Sequence, residues 1–279
     1  MNQILKIEKL NDSVVLMEIK AADIVRHAEV GQFVMLKTSK TGERIPLTLS
    51  KIDYKKKSIT LIFQIVGKST FKLSQLKVKD GIMDLVGPLG MPTVIKDYHK
   101  VLIVSGGLGA AISLPLYLKC LNLGIHTDVI LGFKSKKDMI LKDEFVASNN
   151  QIIYTTDDGS YGIKGWVTTP LEERLKMGNT YDHIFAIGPL IMMKNVSMIT
   201  KQYQIPTTVS LNPIMVDGTG MCGGCRVQIQ DQIQFACVDG PDFNAHLVDF
   251  DQLIKRNQMY KDIEEKAYQQ CKGALDESK

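Results

Sequence analysis

The chain has 279 residues, 44% of them hydrophobic and 23% charged, with a net charge of +4 at neutral pH. That length can bury one large core or two to three small ones, and so slight a charge excess gives no basis for a nucleic-acid or anionic-membrane surface. Five cysteines, three of them inside the stretch 222–237, do not form the framework of a disulfide-stapled secreted protein. The opening MNQILKIEKL reads as a strand, not as a charged end followed by an apolar block, so the expected location is a reducing cytoplasm.

From Met1 to about Thr93 the pattern is short and β-like. ILKIEKL, SVVLMEIK, GQFVMLKT, SITLIFQIV and GIMDLVGPL are strand-length pieces rich in branched residues, separated by Gly, Asn, Asp and Lys turns. Several strands at this spacing predict a β-barrel or sandwich. Lys55, Lys56 and Lys57 fall between two of them and read as a solvated hairpin turn.

After His99 the rhythm changes to alternating strands and helices. KVLIVSGG, HTDVILGF, QIIYTTDDG and HIFAIGP read as strands. AAISLPLYLKCLNLG, KDMILKDEFVASN, VTTPLEERLKMG and LIMMKNVSMITKQYQ read as the helices after each. This order predicts an α/β doubly wound parallel sheet. The uncharged run from Val101 to Leu118 raises the question of a membrane span. Gly106, Gly107 and Gly109 break it after a strand-length piece and Pro115 follows, so it reads as a buried strand, a glycine turn and a helix start, and no membrane is expected.

From Pro206 the rhythm breaks again into a cysteine-bearing segment. The tail from Asp249 carries an imperfect helical stripe, Phe250, Leu253, Ile254, Met259, Tyr260, Ile263 and Ala267, with Asp249 as the N-cap. The expected organisation is a barrel over 1–96, an α/β domain over 97–205 and a small cap with a C-terminal helix over 206–279.

Ligands of an open parallel sheet bind at the carboxyl ends of its strands. Three such ends carry glycine here: Gly106, Gly107 and Gly109; Gly132; and Gly188 with Pro189. Glycine lets a phosphate approach the backbone, and the following helix N-terminus attracts its charge. The full G-x-G-x-x-G fingerprint fails at Ile112, and each turn taken alone is also explained by chain geometry. Asp157 and Asp158 after the third strand favour a ribose 2′-hydroxyl, hence NAD(H), whereas Lys134, Lys136 and Lys137 lean towards NADP(H), which is the lesser fit.

In the first domain, Arg44, Pro46, Leu47, Thr48 and Ser50 put one cation and two hydroxyls around a proline-fixed strand. Gln64, Val66, Gly67, Lys68, Ser69 and Thr70 end the next strand in a Gly-Lys-Ser-Thr turn. Such a turn offers N–H groups and hydroxyls to a pyrophosphate, although the upstream glycine of a P-loop is absent.

Asp217-x4-Cys222-x2-Cys225-x11-Cys237 has the spacing of a plant-type [2Fe–2S] site, with aspartate in the first ligand position. Three thiolates and a carboxylate also suit tetrahedral zinc, and the C-x-x-C could form a disulfide. Cys120, in an apolar helix, and Cys271, near the terminus, read as bystanders.

Arg44-Ile45-Pro46-Leu47-Thr48, Val66 to Thr70, Gly87-Pro88-Leu89-Gly90, Gly106-Gly107-x-Gly109, Gly188-Pro189 and the cysteine segment together resemble the ferredoxin–NADP reductase superfamily. Within it, the chain is similar to the electron-transfer subunits of the branch that serves NADH-dependent ferredoxin:NADP oxidoreductase and dihydroorotate dehydrogenase. Thr155 to Gly162, Gly188 to Lys194 and Cys237 to Phe243 carry the closer likeness, and aspartate at 217 points to the former member, the latter being expected to have cysteine there. The resemblance implies FAD in the barrel, NAD(H) in the α/β domain, a [2Fe–2S] cluster in the cap, and a larger flavin and iron–sulfur partner subunit that deals with ferredoxin. It implies that Arg44, Pro46, Leu47 and Thr48 hold the isoalloxazine, Thr48 tuning it, with Val66 to Thr70 near the phosphates. Lys134, where the superfamily often has arginine, and Ile112, where it often has proline, depart from the pattern. A non-catalytic zinc-bearing nucleotide module is the remote alternative.

Overall fold

In the computed structural model, residues 2–145 and 150–276 are described. The first part holds strands β1 (Asn2–Lys9), β2 (Val14–Lys20), β3 (Phe33–Lys37), β4 (Ile45–Asp53), β5 (Ser58–Gln64), β6 (Gly81–Ile82) and β7 (Asp84–Leu89), with short helices α1 (Ala22–Val25) and α2 (Lys68–Ser74). The strands run antiparallel in the order β6-β1-β2-β5-β4-β3-β7, a nearly closed barrel. Alternation fills it: Val15, Met17 and Ile19 of β2 and Ile59, Leu61 and Phe63 of β5 point to one interior core. The Gly-Lys-Ser-Thr segment, read as a turn, opens α2 instead, with Gly67 as N-cap and the Thr70 hydroxyl accepting the Gly67 N–H at 3.1 Å.

β3 departs from simple alternation, and its departure shapes the molecule. In FVMLK, Val34 and Leu36 fill the barrel, while Phe33 and Met35 point outward into a second core. A strand apolar on both faces is one that is covered on both faces. Complete burial of each outward side chain is worth about 2 kcal/mol.

The second part holds β8 (Lys100–Gly106), α3 (Gly109–Asn122), β9 (His126–Phe133), β10 (Ile152–Thr156), β11 (Ile163–Lys164), α4 (Thr168–Lys176), β12 (His183–Ile187) and α5 (Leu190–Gln202). The strands are parallel in the order β11-β10-β9-β8-β12. The sheet takes its last two members from beyond residue 205: parallel β13 (Thr207–Ser210) and antiparallel β16 (Asp242–Asn244). Between them come the hairpin strands β14 (Arg226–Ile229) and β15 (Gln232–Phe235). α3 covers one face of the sheet, with Val14 and Ile62 of the barrel in the same core; α4 and α5 cover the other. This is the doubly wound arrangement read from the sequence.

One predicted helix is absent among the described residues. The segment from Lys137 forms two short 3-10 turns, Lys136–Asp138 and Lys142–Glu144, and the end of the expected helix lies outside the described residues. Leu141 between them has φ +55°, a left-handed conformation that stops helix propagation. Ile140 and Phe145 are buried five positions apart, a spacing that one helical face cannot supply.

The tail is two helices, α6 (Phe250–Asn257) and α7 (Lys261–Asp276), and not one. Asp249 caps α6 as expected, accepting the Gln252 N–H at 2.9 Å. Phe250 and Leu253 enter the core, whereas Met259, Tyr260 and Ile263 of the predicted stripe are exposed. α7 crosses back to the barrel, where Tyr268 meets Phe71 of α2 edge to face at 5.6 Å. Among the described residues no helix is long and apolar enough to cross a membrane.

Candidate functional site

The cysteine segment is seated on the outward face of β3. Cys225 and Cys237 are 2% exposed and share a core with Phe33, Met35 and Met215. Their sulfurs lie 3.2 Å apart, and all five cysteines are free thiols, so the disulfide reading of the C-x-x-C is set aside. Burial, then the neighbouring Cys225 thiol, pushes Cys237 up to about 12.

Cys222 is exposed and sits among backbone donors. The Gly224 N–H points at its sulfur from 3.4 Å, and this bond, with those from the Asp217 and Val216 backbone, draws its thiol below the ordinary value. The Asp217 carboxylate is held in a local turn by the Thr219 hydroxyl and by the Thr219 N–H at 2.9 Å, which keep it below the usual carboxylate range; the charge of Arg44 adds to this. Asp217 and Cys222 thus stand near one another on one loop, each with donors that favour its anionic form, although the charge of Asp217 opposes that of Cys222.

The loop between them must touch the barrel. Gly218 has φ +85°, and a Cβ there would stand 2.6 Å from Met35 Cγ, so only glycine allows both the turn and the approach. Two arginines missed in the sequence brace the loop: Arg226 Nη1 donates to Gly223 O and Arg256 Nη2 to Gly224 O, each at 3.2 Å. No spacing rule could have found Arg256, which lies 32 positions from its partner.

Among the described residues, no three His, Cys, Asp or Glu side chains gather round one ion. The four predicted donors stand instead as a buried thiol pair and a more exposed carboxylate–thiol pair along one loop. Two sulfurs in contact, a thiol ready to ionise and N–H groups aimed at sulfur are the donor chemistry that a thiolate-held iron–sulfur cluster uses.

On the barrel, Pro46, Leu47 and Thr48 are half-buried in β4, opposite Met35, Val34 and Phe33 of β3. Arg44 pairs with Asp84 at 2.6 Å. Ser50 is buried and its hydroxyl has no partner among the described residues. Gln64 and Val66 are exposed, and a Cβ on Gly67 would meet nothing within 4 Å. Lys68 opens α2, the Ser69 hydroxyl donates to Glu43 at 3.2 Å, and Thr70 is occupied by the cap.

At the carboxyl ends of the central parallel strands the glycines divide by cause. A Cβ on Gly109 would be 2.1 Å from Ile187 O, one on Gly188 2.9 Å from the Gly106 N, and one on Gly132 2.4 Å from Val167; these positions serve packing. A Cβ on Gly106 would meet Met192 Sδ at 2.6 Å. Gly107 differs, with φ +55° and open space where a side chain would be. Beside it, the Ser105 and Thr155 hydroxyls are buried without a partner among the described residues. Asp158 accepts from Ser160 N–H and Oγ–H at 2.9 and 2.6 Å, bonds that keep it below the usual carboxylate range, while Asp157 is exposed. Pro189 and Val66, from the two halves of the molecule, meet across a cleft of about 690 Å³.

The cap segment 212–249 matches the family model of the iron–sulfur cluster binding domain of dihydroorotate dehydrogenase B. The chain is 44% identical over 275 residues, 96% of this chain and 93% of the relative, to an uncharacterised protein from the adh 3′ region of Clostridium beijerinckii. It is 40% identical over 278 residues to the Thermotoga maritima homolog of the dihydroorotate dehydrogenase B (NAD(+)) electron transfer subunit, covering 100% and 98% of the two. A chain of the solved NADH-dependent reduced ferredoxin–NADP oxidoreductase, described in terms of flavin-based electron bifurcation, superposes with a TM-score of 0.90 at 40% identity, over 97% of each chain. The protein is therefore a member of the family of dihydroorotate dehydrogenase B electron transfer subunits and their homologues.

Proposed function

We propose that this protein is a flavin- and iron–sulfur-bearing oxidoreductase subunit that passes electrons between NAD(H), FAD, a [2Fe–2S] cluster and a larger partner subunit, as in NADH-dependent ferredoxin–NADP oxidoreductase. The observation that carries it is the shared core: Phe33 and Met35 of barrel strand β3 pack with Cys225 and Cys237, so a flavin on the barrel would be close to the metal donors. Flavin chemistry, when the group is bound, converts two-electron hydride exchange into single-electron steps.

The division of labour follows the parts of the chain. Residues 1–96 would hold FAD, with Arg44, Pro46, Leu47, Thr48 and Ser50 along the ring and Gln64, Val66, Gly67, Lys68, Ser69 and Thr70 near the phosphates. Residues 97–205 would hold NAD(H) at Gly106, Gly107, Gly109, Gly132, Gly188 and Pro189, with Asp157 reading the ribose and Asp158 stiffening its loop. Residues 206–279 would hold the cluster on Asp217, Cys222, Cys225 and Cys237. The protein's own work would be positioning: the β3 face would set the separation of the two groups, and backbone N–H groups such as that of Gly224 would stabilise anionic sulfur. Free thiols support a reducing, cytoplasmic setting.

Anaerobic purification and a visible spectrum before and after NADH test the reading; a colourless protein carrying one zinc ion would sink it. Asp217→Ala is expected to change the spectrum or lose iron, and unchanged iron and spectrum would assign the fourth ligand elsewhere. The family model favours a second reading, the electron transfer subunit of dihydroorotate dehydrogenase. Copurification separates the two: a large flavin and iron–sulfur subunit, on which ferredoxin would act, against a dihydroorotate dehydrogenase.

A further inference from the structure

The cleft of about 690 Å³ has three walls, and the third is unexpected. Val66 lines it from the barrel and Pro189 to Ile191 from the start of α5, but Ile254 of α6 and Lys261, Glu264 and Glu265 of α7 close the remaining side. The tail thus faces both segments to which dinucleotide contacts are assigned above.

Lys261 is the one cation among the residues lining this cleft. Among the described residues no carboxylate pairs with its ammonium group, although Glu264 and Glu265 stand on the same wall. The lining is apolar on the barrel and α5 side and mainly polar on the tail side, with Asn257, Gln258 and the two glutamates beside Lys261, so the one cation marks where an anionic group of a ligand would sit. Of the ligands proposed for this junction, each is an adenine dinucleotide with a pyrophosphate.

α7 is held lightly. From Lys261 to Gly273 only Ala267, Tyr268 and Cys271 are less than exposed, and the edge-to-face contact of Tyr268 with Phe71 at 5.6 Å ties the helix down. Phe71 follows directly on the Gly67–Thr70 segment, so the same short helix that begins at the flavin-side turn anchors the third wall.

We propose that α7 completes a dinucleotide site, with Lys261 meeting the ligand's pyrophosphate and the Phe71–Tyr268 contact keeping the helix in place. The proposal rests on the reading that FAD and NAD(H) meet at this junction. Its sign is distinctive, because removal of Lys261 leaves two carboxylates facing a dianion, whereas neutralising those carboxylates relieves repulsion.

The test uses the intact purified protein, with NAD+ affinity measured by calorimetry and flavin release by fluorescence on dilution. A charge-assisted contact discounted for the exposure of this helix corresponds to about a three- to tenfold change in dissociation constant. Lys261→Gln is expected to weaken one of the two dinucleotides by that factor and to flatten its salt dependence, and the one that responds is the occupant of the cleft. Glu264→Gln with Glu265→Gln tightens the same ligand, Tyr268→Ala weakens it, and Lys266→Gln, on the same helix outside the cleft, changes neither. Unchanged affinity for both dinucleotides in Lys261→Gln overturns the proposal, whatever the other variants do. A wild-type protein that holds no flavin and binds no NAD+ refutes the functional reading instead.

Discussion

Gly107 and Gly109 sit in opposite surroundings, and replacing each with alanine separates packing at the one from the ligand approach proposed at the other. At Gly109 the new Cβ would stand 2.1 Å from Ile187 O and 2.8 Å from its carbonyl carbon. Ordinary contact begins near 3.4 Å, so the α3 start or the β12 end must shift by roughly 1.3 Å. The obstacle is strand backbone in the middle of a sheet, not the tip of a flexible side chain. That puts the cost at the upper end of overpacking, about 3 kcal/mol, and at about 2–4 °C per kcal/mol the melting point falls by roughly 6–12 °C.

At Gly107 the Cβ meets nothing within 4 Å, and the residue has φ +55°. The cost there is conformational alone, about 1 kcal/mol, so the fold persists while a methyl group enters the open space at the strand end where a ligand is proposed. Thermal unfolding and NAD+ calorimetry on both variants read the two effects. Gly109→Ala should melt early, and Gly107→Ala should melt near the wild type yet lose most of its NAD+ affinity. A Gly109→Ala protein melting within about 2 °C of the wild type, or a Gly107→Ala protein binding NAD+ normally, would refute the division of roles.

Asp128 is buried at the opposite end of the sheet and accepts from Arg174 Nη2 at 2.6 Å, Gln151 N–H at 2.8 Å and Tyr181 Oη at 3.0 Å. Burial works against its charge, but the Gln151 N–H and the Arg174 guanidinium overcome it and hold the carboxyl below the usual range. Its contribution is therefore present above the ordinary carboxylate pKa and lost as pH falls through the lowered one. Asp128→Asn leaves Arg174 buried without its anion and should cost about 3–5 kcal/mol at pH 7, less in acid; a penalty independent of pH would contradict this. Asp242 is the reverse case. Burial pushes its carboxyl upward although the Thr93 hydroxyl donates to it at 2.6 Å, so its contribution is present below the ordinary value and lost as pH rises through the raised one. Asp242→Asn should match the wild type near pH 4 and be the more stable of the two at pH 8, as chemical denaturation would show; the opposite trend would mean that the carboxylate is charged and paired.

What could be read from the residues was whatever depends on near neighbours in sequence. The ligand spacing from Asp217 to Cys237, the alternating strands and helices, and the cap at Asp249 are local patterns; the strands, helices and cap recur in the structure, and the four donors fall on one loop as two pairs. The helix expected from Lys137 failed on a local feature of another kind: the left-handed backbone at Leu141 carries no mark in residue type, since leucine rarely adopts it. Long-range placement was illegible for a different reason. FVMLK announces that β3 is apolar on both faces, but not that one face belongs to the cysteine loop, and nothing at Arg256 or Tyr268 says that one braces Gly224 and the other crosses to Phe71. These are the contacts that bring three separately legible parts to one junction. A metal-binding motif and two glycine turns can be named from their spacing; that the motif shares a core with the barrel, through Phe33 and Met35, is written only in the fold.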